Sequence, residues 1–226
     1  MIVYTGDTKR VNNYNTQKIN FTSIDLELFE AVDTVNRFDE YKKTAIEEKM
    51  LDENYITEYL QNRKRHPNWG RKGPGALGCD MSHIMCYKEI NEELDDGYCL
   101  LLEDDAILTS DFMDSLNEIV DQAQGLGSDY VHLCCNSRFK REQYNESNRV
   151  SRLLYKMVPQ WHTTAQLISK RGMNTLIGKL PFAVPIDLAI NNYITELNAT
   201  SSIVGVKNGG CSECGDKESQ LGSLIW

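Results

Sequence analysis

Apolar and polar positions follow two rhythms along the chain: short unbroken apolar runs, and longer stretches with helical spacing. Ile2 to Thr5 is a β-prone run followed by the turn-like Gly6-Asp7-Thr8, and residues 23–33 contain a second strand. Residues 38–65 are polar and helix-prone, with only a weak stripe of Tyr41, Ala45, Tyr55, Ile56 and Tyr59. That pattern predicts a helical surface segment or cover. A Gly-rich basic loop over residues 63–83 leads into a helix marked by Met81, Ile84, Met85, Ile90 and Leu94, with its start expected just after Cys79.

Tyr98 to Leu102 is the strongest strand, five apolar residues without alternation, as expected for a strand buried on both faces. An amphipathic helix follows, with Ser110 as its expected cap and Gly125 as its end. Residues 129–135 form another strand, and after a polar excursion residues 152–158 and 163–169 are strand-like. Helices are expected from about Gly172 and from Asp187 to Leu197, then a strand over 202–206 and an irregular tail over 207–226. Strands alternating with helices predict a Rossmann-like α/β fold, with a mostly parallel sheet covered by helices on both faces. The 226 residues suffice for one sizeable core, so the expectation is a single domain over 1–226.

Net charge narrows the partners. At −9, with a pI near 5.0, the chain does not present a nucleic-acid or anionic-membrane surface over its whole extent. The first ten residues lack the apolar stretch of a signal peptide, and no run approaches a membrane span, so a cytoplasmic protein is expected. Cys79, Cys86, Cys99, Cys134 and Cys135 lie among apolar residues and read as reduced thiols. Cys211-x-x-Cys214 has no second pair at metal-ligand spacing and reads as part of the tail.

The candidate chemistry begins where the strongest strand stops. Glu103, Asp104 and Asp105 are adjacent, flanked by apolar residues on both sides and too far from Ser110 to cap its helix. Two like charges about 4 Å apart cost roughly 4 kcal/mol at the dielectric of a protein edge, a cost that a cation reverses. Ligands of open α/β sheets bind beyond the carboxyl ends of the strands. In an extended chain Glu103 and Asp105 share one side, so the pair can converge on a hard ion such as Mn²⁺ or Mg²⁺. Upstream, Arg63, Lys64, Arg65, Arg71 and Lys72 are interleaved with Gly70, Gly73, Gly75 and Gly78, a composition able to receive anionic oxygens.

The element Gly75-x-x-Gly78-Cys79-x-x-Ser82-His83, spaced before Leu102-Glu103-Asp104-Asp105, resembles glycosyltransferase family 25, which contains lipooligosaccharide and collagen galactosyltransferases. Weaker matches are Leu28 to Asp33, Thr163 to Gly172, Pro185 to Asp187 and the closing residues 218–225. The resemblance implies a GT-A-like fold and a nucleotide-sugar donor, UDP-galactose or UDP-glucose, with a saccharide or glycoconjugate acceptor. It also implies Mn²⁺ (or Mg²⁺) at the acidic motif. Under it, Asp105 and Glu103 bind the metal, and Glu103 and Asp104 approach ribose or metal-bound water. Arg71, Lys72, Gly78, Ser82, His83, Thr163 and Thr164 line the donor. The resemblance further implies inversion, which needs a carboxylate base, and Asp187 is the candidate. Asp is also a preferred helix N-cap, worth about 0.5–2 kcal/mol for that reason alone.

The chain departs from the family pattern at its start, where Tyr4 to Arg10 replaces an Asn-Leu-x-Arg signature, and at Gln166, where an aromatic is usual. Two other functions fit parts of the pattern: a non-catalytic sugar- or protein-binding relative of the same fold, and a sugar nucleotidyltransferase. The second lacks a Gly-rich basic signature after the first strand.

Overall fold

A computed structural model describes residues 2–4, 8–20, 26–34, 36–65, 75–134 and 144–208. Arg71, Lys72 and the Cys211/Cys214 pair lie outside these residues.

The strands are β1 (Ile2–Tyr4), β2 (Leu28–Glu30), β3 (Tyr98–Glu103), β4 (Ala106–Ile107), β5 (Tyr130–Cys134), β6 (Leu154–Lys156), β7 (Ala165–Ser169) and β8 (Thr200–Asn208). The helices are α1 (Thr8–Asn20), α2 (Phe38–Glu47), α3 (Glu53–Arg65), α4 (Gly75–Glu93), α5 (Ser110–Leu126), α6 (Lys170–Ile177) and α7 (Ile186–Asn192).

The strands form one eight-stranded sheet in the order β2-β1-β3-β7-β5-β8-β4, with β6 also paired to β8. The expected mostly parallel sheet is not what forms. β1–β2, β1–β3 and β5–β8 pair in parallel, while β3–β7, β5–β7, β4–β8 and β6–β8 are antiparallel. The sheet is mixed because β7 enters between β3 and β5 running against both. Its residues are buried along the whole strand, so no alternation in the sequence marks it as different from a strand that pairs in parallel.

Helices cover both faces, as expected. Leu101, Tyr130 and Ile168 face a core built with α2, α3, α4, α6 and α7. Leu102, Val131, Leu133, Ala165 and Leu167 face a second core with α1 and α5. Residues 38–65 do more than cover: Ala45, Met50, Leu51 and Ile56 are buried in the first core. α4 is buried on most of its circumference, which hides any amphipathic signal.

Local boundaries shift for identifiable reasons. α4 starts at Gly75, so the backbone N–H groups after Cys79 are inside a helix and cannot serve as a free anion-binding terminus. α5 is capped by Thr109, whose hydroxyl accepts from Phe112 N, and ends at Gly127 in the left-handed conformation. β8 continues to Asn208, where Asn208 pairs with Ala106 and Lys207 with Ile107, so these two residues belong to the sheet rather than to the expected irregular tail. No helix among the described residues is long and apolar enough to cross a membrane.

Candidate functional site

Glu103 is the last residue of β3, and it is fixed at both ends. Its backbone N–H donates to Thr164 O at 2.8 Å, and its side-chain Oε1 accepts from Thr163 Oγ1 at 2.6 Å. The reversed direction of β7 makes this possible, because the residues that precede an antiparallel strand lie beside the end of its partner. Thr163 and Thr164, both buried, therefore join the site through Glu103.

α4 approaches the same carboxylate with two side chains one helical turn apart. His83 Nε2 lies 3.7 Å and Cys79 Sγ 3.9 Å from Glu103 Oε1. His83 Nδ1 donates to Cys79 O at 3.0 Å, so the neutral ring carries its proton on Nδ1. Burial pulls the His83 pKa below its ordinary value, opposed by the Cys79 carbonyl, the Thr163 backbone and the charge of Asp187. Burial also pushes the Cys79 thiol well up, and the charges of Glu103, Asp80, Asp187 and Asp105 push it further.

The extended chain assumed for the acidic triplet ends at Glu103. Asp104 and Asp105 form the turn between β3 and β4, so strand alternation does not apply to them. Both are buried, at 3% and 9% exposure, whereas the Glu103 side chain is 22% exposed. Asn13 on α1 holds the turn by donating from Nδ2 to Asp104 O and Ala106 O, each at 3.0 Å. Among the described residues, the group of three whose ligand atoms all lie within 4.8 Å is Cys79, His83 and Glu103, not the three acids. Glu103 has turned toward α4. Mg²⁺ and Mn²⁺ take one or two carboxylates and fill the remaining positions with water and phosphate oxygen, so Asp105 and its neighbouring acids are the residues that would hold the expected hard ion.

Asp187 does not cap its helix. It sits in the first turn of α7, behind the cap position Pro185, which provides no side-chain bond. Its Oδ1 accepts from Leu188 N at 2.8 Å and its Oδ2 from His162 N at 3.4 Å. The cap is supplied from elsewhere: Ile186 N donates to Asp80 Oδ1 at 2.8 Å, and Tyr55 OH donates to Asp80 Oδ2 at 2.7 Å. Sequence reading missed Asp80, although it stands inside the Gly-Cys-x-x-Ser-His element as the one acid in a buried helical run.

His162 and Thr163 are consecutive, and they touch different carboxylates. The first reaches Asp187 through its backbone N–H and the second reaches Glu103 through its hydroxyl. His162 has φ 74°, the left-handed region that costs most side chains about 1–2 kcal/mol. His132 Nε2 holds it there by donating to His162 O at 3.2 Å, and burial lowers the His132 pKa to about 4. Trp161 stands 49% exposed beside this segment.

Gly78 and Ser82 also serve the packing of α4. Ser82 Oγ donates to Gly78 O at 2.6 Å and accepts from Val32 N at 2.9 Å. A Cβ at Gly78 would stand 2.5 Å from Thr34 Oγ1 and 2.8 Å from Val32 O. The two residues are the close contact that docks the exit of β2 on α4.

An α/β sheet with carboxylates gathered beyond its strand ends belongs to the broad class whose ligands bind at that edge. The description "Glycosyltransferase family 25 (LPS biosynthesis protein)" matches residues 6–190, most of the chain. The chain belongs to glycosyltransferase family 25. No curated protein matches it.

Proposed function

We propose that the protein transfers a hexose from a nucleotide diphosphate sugar, UDP-galactose or UDP-glucose, to a hydroxyl of a saccharide or glycoconjugate, with inversion at the transferred carbon. The observation that carries this reading is the link between two carboxylates through adjacent residues: Asp187 to His162 N and Glu103 to Thr163 Oγ1. Inversion by direct displacement needs one carboxylate to take the acceptor proton while the leaving diphosphate is stabilised on the opposite side of the sugar. Asp187 is the base. Its two backbone hydrogen bonds set the carboxylate's orientation before substrate arrives.

The donor diphosphate lies toward the β3–β4 turn, where Asp105 would hold a Mn²⁺ or Mg²⁺ ion with Asp104 beside it. Such an ion would neutralise charge on the leaving diphosphate. Arg71 and Lys72, which lie outside the described residues, would assist by their positive charge. Trp161 offers a ring face for stacking on the acceptor sugar.

The test measures thermal stabilisation, donor hydrolysis and transfer for a panel of nucleotide sugars with and without Mn²⁺. Metal-dependent stabilisation by a UDP-hexose and slow hydrolysis of that donor are expected. Asp187→Asn should lower kcat by about 10²–10⁴-fold with the donor KM little changed. Asp105→Asn should remove the metal dependence. Unchanged turnover in Asp187→Asn, or no response to any donor, overturns the reading.

A further inference from the structure

Cys79, His83 and Glu103 make a group that the sugar-transfer chemistry does not use as a unit. Their ligand atoms all lie within 4.8 Å of one another. The separations are 3.6 Å from Cys79 Sγ to His83 Nδ1, 3.7 Å from His83 Nε2 to Glu103 Oε1, and 3.9 Å from Cys79 Sγ to Glu103 Oε1. Metal bonds of about 2.0–2.3 Å at tetrahedral angles place ligand atoms roughly 3.3–3.7 Å apart, so the distances from Glu103 Oε1 to His83 Nε2 and to Cys79 Sγ already match what an ion needs to within a few tenths of an ångström.

A second observation points to a ligand. His83 is fully buried, and its Nε2 makes no hydrogen bond. Because Nδ1 carries the proton given to Cys79 O, Nε2 bears a lone pair, and that lone pair looks toward a carboxylate oxygen. Two acceptors 3.7 Å apart, one of them fully buried, are unfavourable unless a cation or proton lies between them. The arrangement is also built outward. The Cys79 carbonyl fixes the imidazole tautomer, and the Thr163 hydroxyl fixes the Glu103 carboxylate, the two supports that metal-bound His and carboxylate ligands usually have.

We propose that Cys79 Sγ, His83 Nε2 and the Glu103 carboxylate form a three-ligand site for a borderline divalent cation of the zinc class, with the fourth position open to water or a substrate oxygen. A thiolate, an imidazole and one carboxylate select Zn²⁺ or Co²⁺ over the hard Mg²⁺. Three protein ligands and one open position make the pattern of a reactive rather than a purely structural zinc centre. Cys79 and Glu103 are each partly exposed, which gives the ion a way in. Binding releases the Cys79 proton to solvent, and the four carboxylates that disfavour a thiolate there favour a dication. The site draws its ligands from Cys79, His83 and Glu103 rather than Asp105, and does not depend on which donor the enzyme uses.

The experiment titrates the metal-stripped full chain with Co²⁺ and reads the thiolate-to-cobalt charge-transfer band, the visible bands of tetrahedral cobalt and proton release. The wild type should take up one ion with all three signals. Cys79→Ser, which preserves side-chain size, should lose the charge-transfer band. Glu103→Gln should keep that band with weakened affinity. Thr163→Val should weaken binding by roughly 10–100-fold, and Asp105→Asn should keep the charge-transfer band. Absence of uptake by the folded wild type overturns the proposal. So does a charge-transfer band that survives in Cys79→Ser, the result expected if Cys211 and Cys214 were the ligands. Cobalt uptake without any response to UDP-hexoses would uphold this site while removing the donor reading.

Discussion

The Asp80 carboxylate accepts the backbone N–H of Ile186 at 2.8 Å, joining α4 to the first residue of α7 across 106 positions of sequence. The residue after Ile186 is Asp187. The helix that carries the candidate base is thereby seated on the helix that carries Cys79 and His83, and Tyr55 holds the other oxygen of the same carboxylate.

This junction sets a pH dependence. Burial raises the Asp80 pKa from 3.8 to about 7; the Ile186 and Tyr55 hydrogen bonds oppose that rise, and the charge of Asp187 adds to it. Between these two values the folded chain keeps a proton that the unfolded chain has released. Stability therefore falls as pH rises through that window and is highest, for this group, below it. Urea midpoints measured across the window should show this slope in the wild type and a flatter curve in Asp80→Asn. Asp80→Ala should be destabilised at every pH, by about 1–3 kcal/mol for each of the two donors left unsatisfied.

Gly78 should tolerate no side chain. In Gly78→Ala the added Cβ meets Val32 O at 2.8 Å, and backbone cannot move aside as a flexible side chain would. A loss of roughly 1–3 kcal/mol is expected from urea denaturation. Trimming Thr34 to Ala in the same chain should recover only part of it, because the Val32 carbonyl remains.

Gln166 stands where relatives are expected to carry an aromatic, and the structure gives it a partner. Tyr87 OH donates to Gln166 Oε1 at 2.8 Å, and both residues are buried. Tyr87→Phe and Gln166→Met should each destabilise the fold by leaving the other group unsatisfied. The double variant should lose less than the sum, with a coupling of about 0.5–3 kcal/mol in a double-mutant cycle.

His162 should separate conformation from contact. Glycine suits φ 74° without a side chain to strain it, so His162→Gly should retain the fold, whereas His162→Val should lower the Tm. The backbone N–H to Asp187 survives in the glycine variant. Its kcat should therefore stay within a few-fold of wild type, roughly the scale of a group that does not transfer protons.

Much of the scaffold is legible from local pattern. The apolar run of β3, the amphipathic face of α5 and the acids at the β3 terminus all announce themselves, because burial and helical spacing leave direct marks on neighbouring residues. α1 does not: it is polar, and its contribution comes through Asn13, which reaches the acidic turn 91 positions away. Asp80 is similarly silent, since a single acid in a helix reveals no partner until another helix supplies an N–H.

The sequence by itself determined the family element, the alternation of strands and helices, and the place of Glu103, Asp104 and Asp105 at the end of a buried strand. Tertiary structure decided which way each side chain works. The turn after Glu103 takes Asp104 and Asp105 out of the strand's alternation, and β4, which begins just beyond it, pairs with β8. The reversal of β7 brings Thr163 to Glu103; a parallel strand of the same five residues would leave it about 16 Å away at the far edge of the sheet. Local spacing records burial and period, but strand direction depends on how a distant segment returns to the sheet, and that direction assembled the site.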